Sequence, residues 1–155
     1  RYIFNVECRA QSLLQVTIIE ESVMEVEINW FAVLAASLVG FAVGVVWYGP
    51  LFGKAWMKIV GLTEEDVAKV NMGKIYVMCL VLQLIMATNL AMFLGPDSTL
   101  LTGTLYGFLT GFGWVALALA INAMFEQKSL NYMLINGGYW SVVFTLMGLI
   151  LGAWH

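Results

Sequence analysis

Charge is what this chain has least of. Asp, Glu, Lys and Arg make up 11% of its 155 residues, against about a quarter in a soluble domain, so most of its surface is not built to face water. The net charge of −3 leaves no basic surplus to draw a nucleic acid partner. Histidine occurs once, as His155 beyond the last apolar run, so no Ser–His–Asp set can be assembled. The two cysteines, Cys8 and Cys79, lie far apart and give neither a disulfide framework nor a metal-binding spacing. Asp, Glu, Lys, Arg and His are also missing from the apolar runs, apart from Lys74 at the lip of the second. That counts against proton-coupled transport driven by a buried carboxylate and against hydrolysis by an acid–base pair. No catalytic residue, metal or cofactor is expected, and the chain does not read as an enzyme.

What is present is apolar. Hydrophobic residues make up 61% of the chain, and the mean hydropathy of +0.87 is that of a membrane protein. Residues 1–27 differ from the rest. They form a mixed tail ending in Glu20, Glu21, Glu25 and Glu27, without the basic start and apolar centre of a signal peptide. Glu20-Glu21 just ahead of Met24 fit a purine-rich ribosome-binding sequence read in frame. The expectation is therefore that Met24 is the natural start and residues 1–23 are not native; the rival is a genuine tail.

The domain at 28–155 divides into four spans, at about 28–48, 74–94, 99–125 and 130–154. Each is long enough to cross a hydrocarbon core of about 30 Å. Trp30 stands at the entrance of the first span and Trp47-Tyr48 at its exit, where amphipathic rings prefer the interface; Trp56 follows nearby. Gly49-Pro50 is expected to end that helix. Leu51 to Trp56 suits a stretch lying along the interface. Thr63 followed by Glu64, Glu65 and Asp66 predicts a capped, short amphipathic helix to about Met72. Gly95-Pro96-Asp97 makes the next turn, and Glu126 to Ser129 the last.

Glycine marks where helices meet. Gly103, Gly107 and Gly111 recur every four residues in the third span, and Gly40 and Gly44 form a G-x-x-x-G pair in the first. At about 100° per residue, Thr104, Gly107, Gly111, Val115, Ala118 and Asn122 fall on one stripe. In the fourth span Gly138, Ser141, Thr145, Gly148 and Gly152 form another, so the third and fourth spans are expected to pack together. The alternative for the first stripe is an oligomer seam or a pore wall. The polar groups left inside are Gln83, Asn89, Asn122, Asn136, Ser141 and Thr145. They read as hydrogen-bonding glue between helices or as the lining of a path for a small neutral solute or ion. Asn122 and Asn136 are expected to meet.

Lys54, Lys58, Lys69 and Lys74 lie between the first two spans and Lys128 between the last two, whereas the turn between the second and third has no basic residue. Basic loops stay cytoplasmic, which places both termini outside.

The segments Ile28-Asn29-Trp30, Trp47-Tyr48-Gly49-Pro50-Leu51-Phe52-Gly53-Lys54-Ala55-Trp56, Gly61 to Asp66 and Leu134 to Tyr139 carry a resemblance. From Met24 onward the chain resembles a mostly bacterial family of small four-helix membrane proteins, a domain of unknown function. The resemblance implies a four-span fold and the bacterial inner membrane; it supplies no ligand or reaction. The fold class expected is all-α: an integral membrane four-helix bundle with a short amphipathic interfacial helix between helices 1 and 2. The expected function is a structural or accessory subunit of a membrane complex, with a small oligomeric channel or transporter as the alternative. Expected partners are membrane lipids, together with a larger complex or further copies of the chain.

Overall fold

A computed structural model describes residues 28–154; the expectations for residues 1–27 and His155 lie outside them. Asn29 opens the first helix, α1 (Trp30–Val46), by accepting hydrogen bonds from Phe31 N and Ala32 N, each at 3.1 Å. Gly49-Pro50 does not end this span. The helix widens into a π turn, Trp47–Leu51, with Pro50 inside it and Phe52 N bonded to Trp47 O at 2.9 Å. Proline lacks an N–H for the carbonyl four residues back and crowds that carbonyl, and a wider turn accommodates both problems.

The chain breaks at Phe52 and enters α2 (Gly53–Val60). Gly61, at φ 75°, closes α2, and both Gly61 N and Leu62 N reach Met57 O. The acidic start at Thr63 makes a separate short helix, α3 (Glu64–Ala68), so two short helices stand where one was expected. Its capping box is complete: Thr63 N donates to Asp66 Oδ2 at 3.0 Å, and Asp66 N donates to Thr63 Oγ1 at 3.2 Å. It stops at Ala68 because Asn71, accepting from Lys74 N at 3.1 Å, already caps the next helix.

Helix α4 (Met72–Leu94) is followed by a turn at Gly95, whose φ of 71° favours glycine. Helix α5 (Leu100–Phe125) is α-helical at both ends and π-helical from Leu109–Ala116. Helix α6 (Leu130–Ala153) completes the chain, capped by Ser129. Among the described residues there are thus six helices, four of them long and apolar enough to cross a membrane, and no strand. The protein is an all-α membrane bundle.

Helix α6 is the centre. It packs on α1, α4 and α5, while α4 and α5 meet chiefly where the Phe93 ring lies against Tyr106 and Trp114. The core is Ala32, Val33 and Ala36 of α1, Ala87 and Leu90 of α4, and Tyr139, Val143, Phe144, Met147 and Leu151 of α6. The buried share is 44% of the α6 span but 17% for α4 and for α5. The outer two helices therefore keep most of their apolar surface free of protein.

The closest approach of backbones lies between α5 and α6. A methyl group on Gly103 would stand 2.9 Å from Gly152 Cα, and one on Gly107 would stand 3.1 Å from Gly148 Cα. Reciprocally, methyls on Gly148 and Gly152 would each stand 3.0 Å from a glycine Cα of α5. No side chain fits between these backbones. Past Gly111 the stripe read from a regular helix fails. Ala118 and Asn122 are exposed and Val115 is half-buried, whereas Ala116 and Ala123 are buried. The π stretch takes five residues from Gly111 to Ala116 where a regular turn takes about four, which moves every later residue one position round the helix.

Candidate functional site

The polar side chains that cross between helices gather on the half of the bundle nearer Lys54, Lys58, Lys74 and Lys128, hereafter the lysine end. Gln83 sits about 16 Å along α4 at 1.5 Å per residue, near mid-span. It is 3% exposed, and its Nε2 donates to Tyr139 Oη of α6 at 2.9 Å. Toward the lysine end, Tyr48 Oη donates to Asn136 Oδ1 at 2.8 Å, and Asn136 Nδ2 donates to Tyr132 O at 2.8 Å. Trp47 Nε1 donates to Ile135 O at 3.0 Å.

The π turn around Pro50 explains this placement. It carries Trp47 and Tyr48 inward, half-buried, so they lie against the bundle rather than on its rim. The rings of Tyr48 and Tyr139 pack edge to face at 5.1 Å, and Tyr48 meets Trp56 at 5.6 Å, which fastens α2 to α1. Trp30, by contrast, is 63% exposed at the opposite end.

The first-span glycines make room for side chains, not for a second backbone. A methyl on Gly40 would stand 2.6 Å from Gln83 Oε1 and 2.7 Å from Met147 Cε. One on Gly44 would stand 3.1 Å from Tyr139 Oη. Gly138 likewise faces the Trp47 ring, at 3.2 Å, while its neighbour Gly137 faces Ala116 of α5. The stripe expected on the fourth span is thus one residue out at that end.

Of the six expected polar groups, Gln83 and Asn136 reach another helix. Asn89 Nδ2 turns back to Ile85 O at 2.8 Å, Ser141 Oγ to Gly137 O at 2.8 Å, and Thr145 Oγ1 to Ser141 O at 2.6 Å. Asn122 does not meet Asn136. It points outward because of the π register shift, and Tyr48 takes its place as the partner. Tyr139 was missed. Its signal is an amphipathic ring nine residues into the α6 span, far from either interface, where its hydroxyl needs a partner.

Chemically the cluster is two amides, two phenols and an indole, all neutral, and it can hold or exchange hydrogen bonds. Among the described residues no three of His, Cys, Asp and Glu are placed to share a metal ion. A recess of about 560 Å³ opens at the opposite end, between Asn29, Ala32, Leu94, Pro96, Ser98 and Trp154. It shares no residue with the cluster, and the cluster's directed hydrogen bonds make it the better candidate. Comparison with curated proteins and with solved structures finds no match. All but the outermost residues of the four apolar spans, with the glycine-packed α5–α6 pair and the Trp-Tyr-Gly-Pro π turn, lie in the region matched by one family, residues 31–152, and the chain belongs to that family, described as Protein of unknown function (DUF1761).

Proposed function

We propose that the protein is a non-enzymatic structural or accessory subunit of a larger membrane complex. We place it in the bacterial inner membrane, with both termini outside and the lysine-bearing loops cytoplasmic. The observation that supports this reading is where the protein covers itself. Its centre is filled by α6, while α4 buries Gln83, Ala87 and Leu90 and leaves most of its remaining length bare. Long apolar faces on a filled bundle suit a protein that lies against other membrane helices. The neutral cluster adds no acid–base pair. The orientation rests on the lysines, which fall between the first two spans (with Lys74 in the first turn of α4) and in the loop after α5, and not in the turn after α4.

One observation favours a small oligomeric channel or transporter as the second reading. Gln83, Tyr139, Tyr48 and Asn136 put neutral hydrogen-bonding groups, the kind that charge-free pores use, inside one half of the bundle. The other half is filled by Val33, Ala36, Val143 and Met147, none more than 1% exposed, so passage in that reading requires the helices to part there. A photo-crosslinking residue at Val77, 66% exposed on α4, separates the two in native membranes. A subunit crosslinks there to a different polypeptide. A channel crosslinks to its own copies, and the purified protein alone passes solute in vesicles.

A further inference from the structure

We propose that the recess of about 560 Å³ at the end of the bundle remote from the lysines is a binding site for an organic ammonium group carried on an apolar body. Its size is that of sites for small organic molecules, about 300–1,000 Å³. Its inner lining, one turn inside the helix ends, is apolar: Ala32 of α1 and Leu151 of α6, 1% and 7% exposed, with Ala91 of α4 beside them. Its rim is polar and neutral, formed by Asn29, the turn at Gly95 and Pro96, and the buried Ser98, with Trp154 next to them.

The charge of the ligand follows from what ends there. Helices α4 and α6 both finish at the recess, and a helix ends in carbonyls that its own N–H groups cannot reach. On α4, Gly95 N takes Ala91 O, which leaves the carbonyls of Met92, Phe93 and Leu94 beyond the last helical bond. On α6, Trp154 is already extended, at φ −129° and ψ 94°, so the helix closes no further turn after Ala153. Each such end carries roughly half a negative charge. Helix α1 begins at the same place, but Asn29 Oδ1 already occupies the N–H groups of Phe31 and Ala32, each at 3.1 Å. Acceptors therefore outnumber donors. Asp97, between the lining residues Pro96 and Ser98, adds a full negative charge and is the one charged residue at this end among the described residues. The lysines that would neutralise it sit at the opposite end. A mouth of this kind draws a cation and repels an anion. An ammonium group donates to several carbonyls at once, and the Trp154 indole offers its ring face to the charge. The apolar inner lining takes the body that carries the group. The site lies apart from the hydrogen-bonding cluster and stands or falls separately from the subunit reading.

Fluorine NMR of the full chain, labelled with fluorotryptophan in uncharged maltoside micelles, tests this with n-hexylammonium as the probe. The Trp154 signal, identified by its loss in Trp154→Phe, should shift saturably, while Trp56 at the lysine end should not move. Hexanol and hexanoate should bind about tenfold more weakly or not at all, because they lack the attraction of a cation to Asp97 and the carbonyls. Asp97→Asn, an exposed change in a turn, should weaken hexylammonium binding about threefold, as expected for a solvated ion pair. Phosphatidylethanolamine added to the micelles tells the two sources of the group apart. Displacement of hexylammonium by that lipid identifies a lipid headgroup as the ligand, and no displacement identifies a free amine. Equal binding of hexanol, unchanged affinity in Asp97→Asn, or no saturable shift at Trp154 overturns the proposal.

Discussion

Replacing Gly107 with alanine tests how α5 is held. The added carbon would stand 3.1 Å from Gly148 Cα and closer still to Phe144 O, both backbone atoms of α6. Carbon atoms in good contact lie about 3.5–4.0 Å apart. The helices must therefore separate by a few tenths of an ångström, and the contacts at Gly103 and Gly111 loosen with them. Overpacking of this kind costs about 1–3 kcal/mol. Alanine also stiffens a helix by about 0.5–1 kcal/mol relative to glycine, which partly masks the cost. Gly113 supplies the control. It lies on the same helix with nothing within 4 Å of a new methyl, so Gly113→Ala keeps the helical gain without the clash. The two variants should differ by about 1–3 kcal/mol, or about 5- to 150-fold in the unfolding equilibrium. Unfolding in mixed micelles followed by circular dichroism measures it. Equal stability of the two would mean that α5 does not rest on α6 through its glycines.

Four further outcomes follow. Gln83→Leu and Tyr139→Phe should show a coupling of about 0.6–1.7 kcal/mol in a double-mutant cycle, and strict additivity would remove the bond between α4 and α6. Asn136→Leu should destabilise the bundle by leaving Tyr48 without its acceptor, whereas Asn122→Leu, outside the core, should be neutral in the same micelle assay. Asp66 is held below its ordinary carboxylate range by the Thr63 side-chain hydrogen bond first and the Thr63 backbone second. Its depressed value means that the cap is intact above the unfolded carboxylate range and is lost as the pH falls through the folded value. NMR of the Asp66 amide should report that fraying, and Thr63→Ala, which removes the side-chain bond and keeps the backbone N–H, should weaken the dependence. A cysteine at Asp97 should react with an impermeant thiol reagent on intact cells and one at Gln127 should not; the reverse pattern would invert the proposed orientation.

Much of this architecture could be read from residue spacing. Four spans follow from run length, because a membrane leaves backbone no other partner than its own helix. The turn at Gly95-Pro96 and the cap at Thr63 follow from local chemistry. The α5–α6 pairing follows from glycines every fourth residue, since backbone approach leaves no other choice of side chain. What could not be read was anything that depended on a regular pitch holding. Projecting α5 at a constant angle put Ala118 and Asn122 on the packing face, and the π stretch through Gly111 and Gly113 moved them off it. The same kind of turn at Pro50 converted an expected helix end into the device that swings Trp47 and Tyr48 inward. Wide turns leave a weak imprint on sequence, because they need only a proline or a pair of glycines, which elsewhere end a helix. The candidate site was half legible for that reason. Gln83 and Asn136 stand out as amides in hydrocarbon, but their partners Tyr139 and Tyr48 are ring residues that composition alone assigns to an interface.

The subunit reading is tested most directly by native mass spectrometry of the protein released from its own membranes in mild detergent. The account predicts a particle whose mass matches no whole number of copies of this chain, containing this protein and at least one other polypeptide in fixed ratio. A particle made of this chain alone, able to pass a small solute when reconstituted, would contradict it.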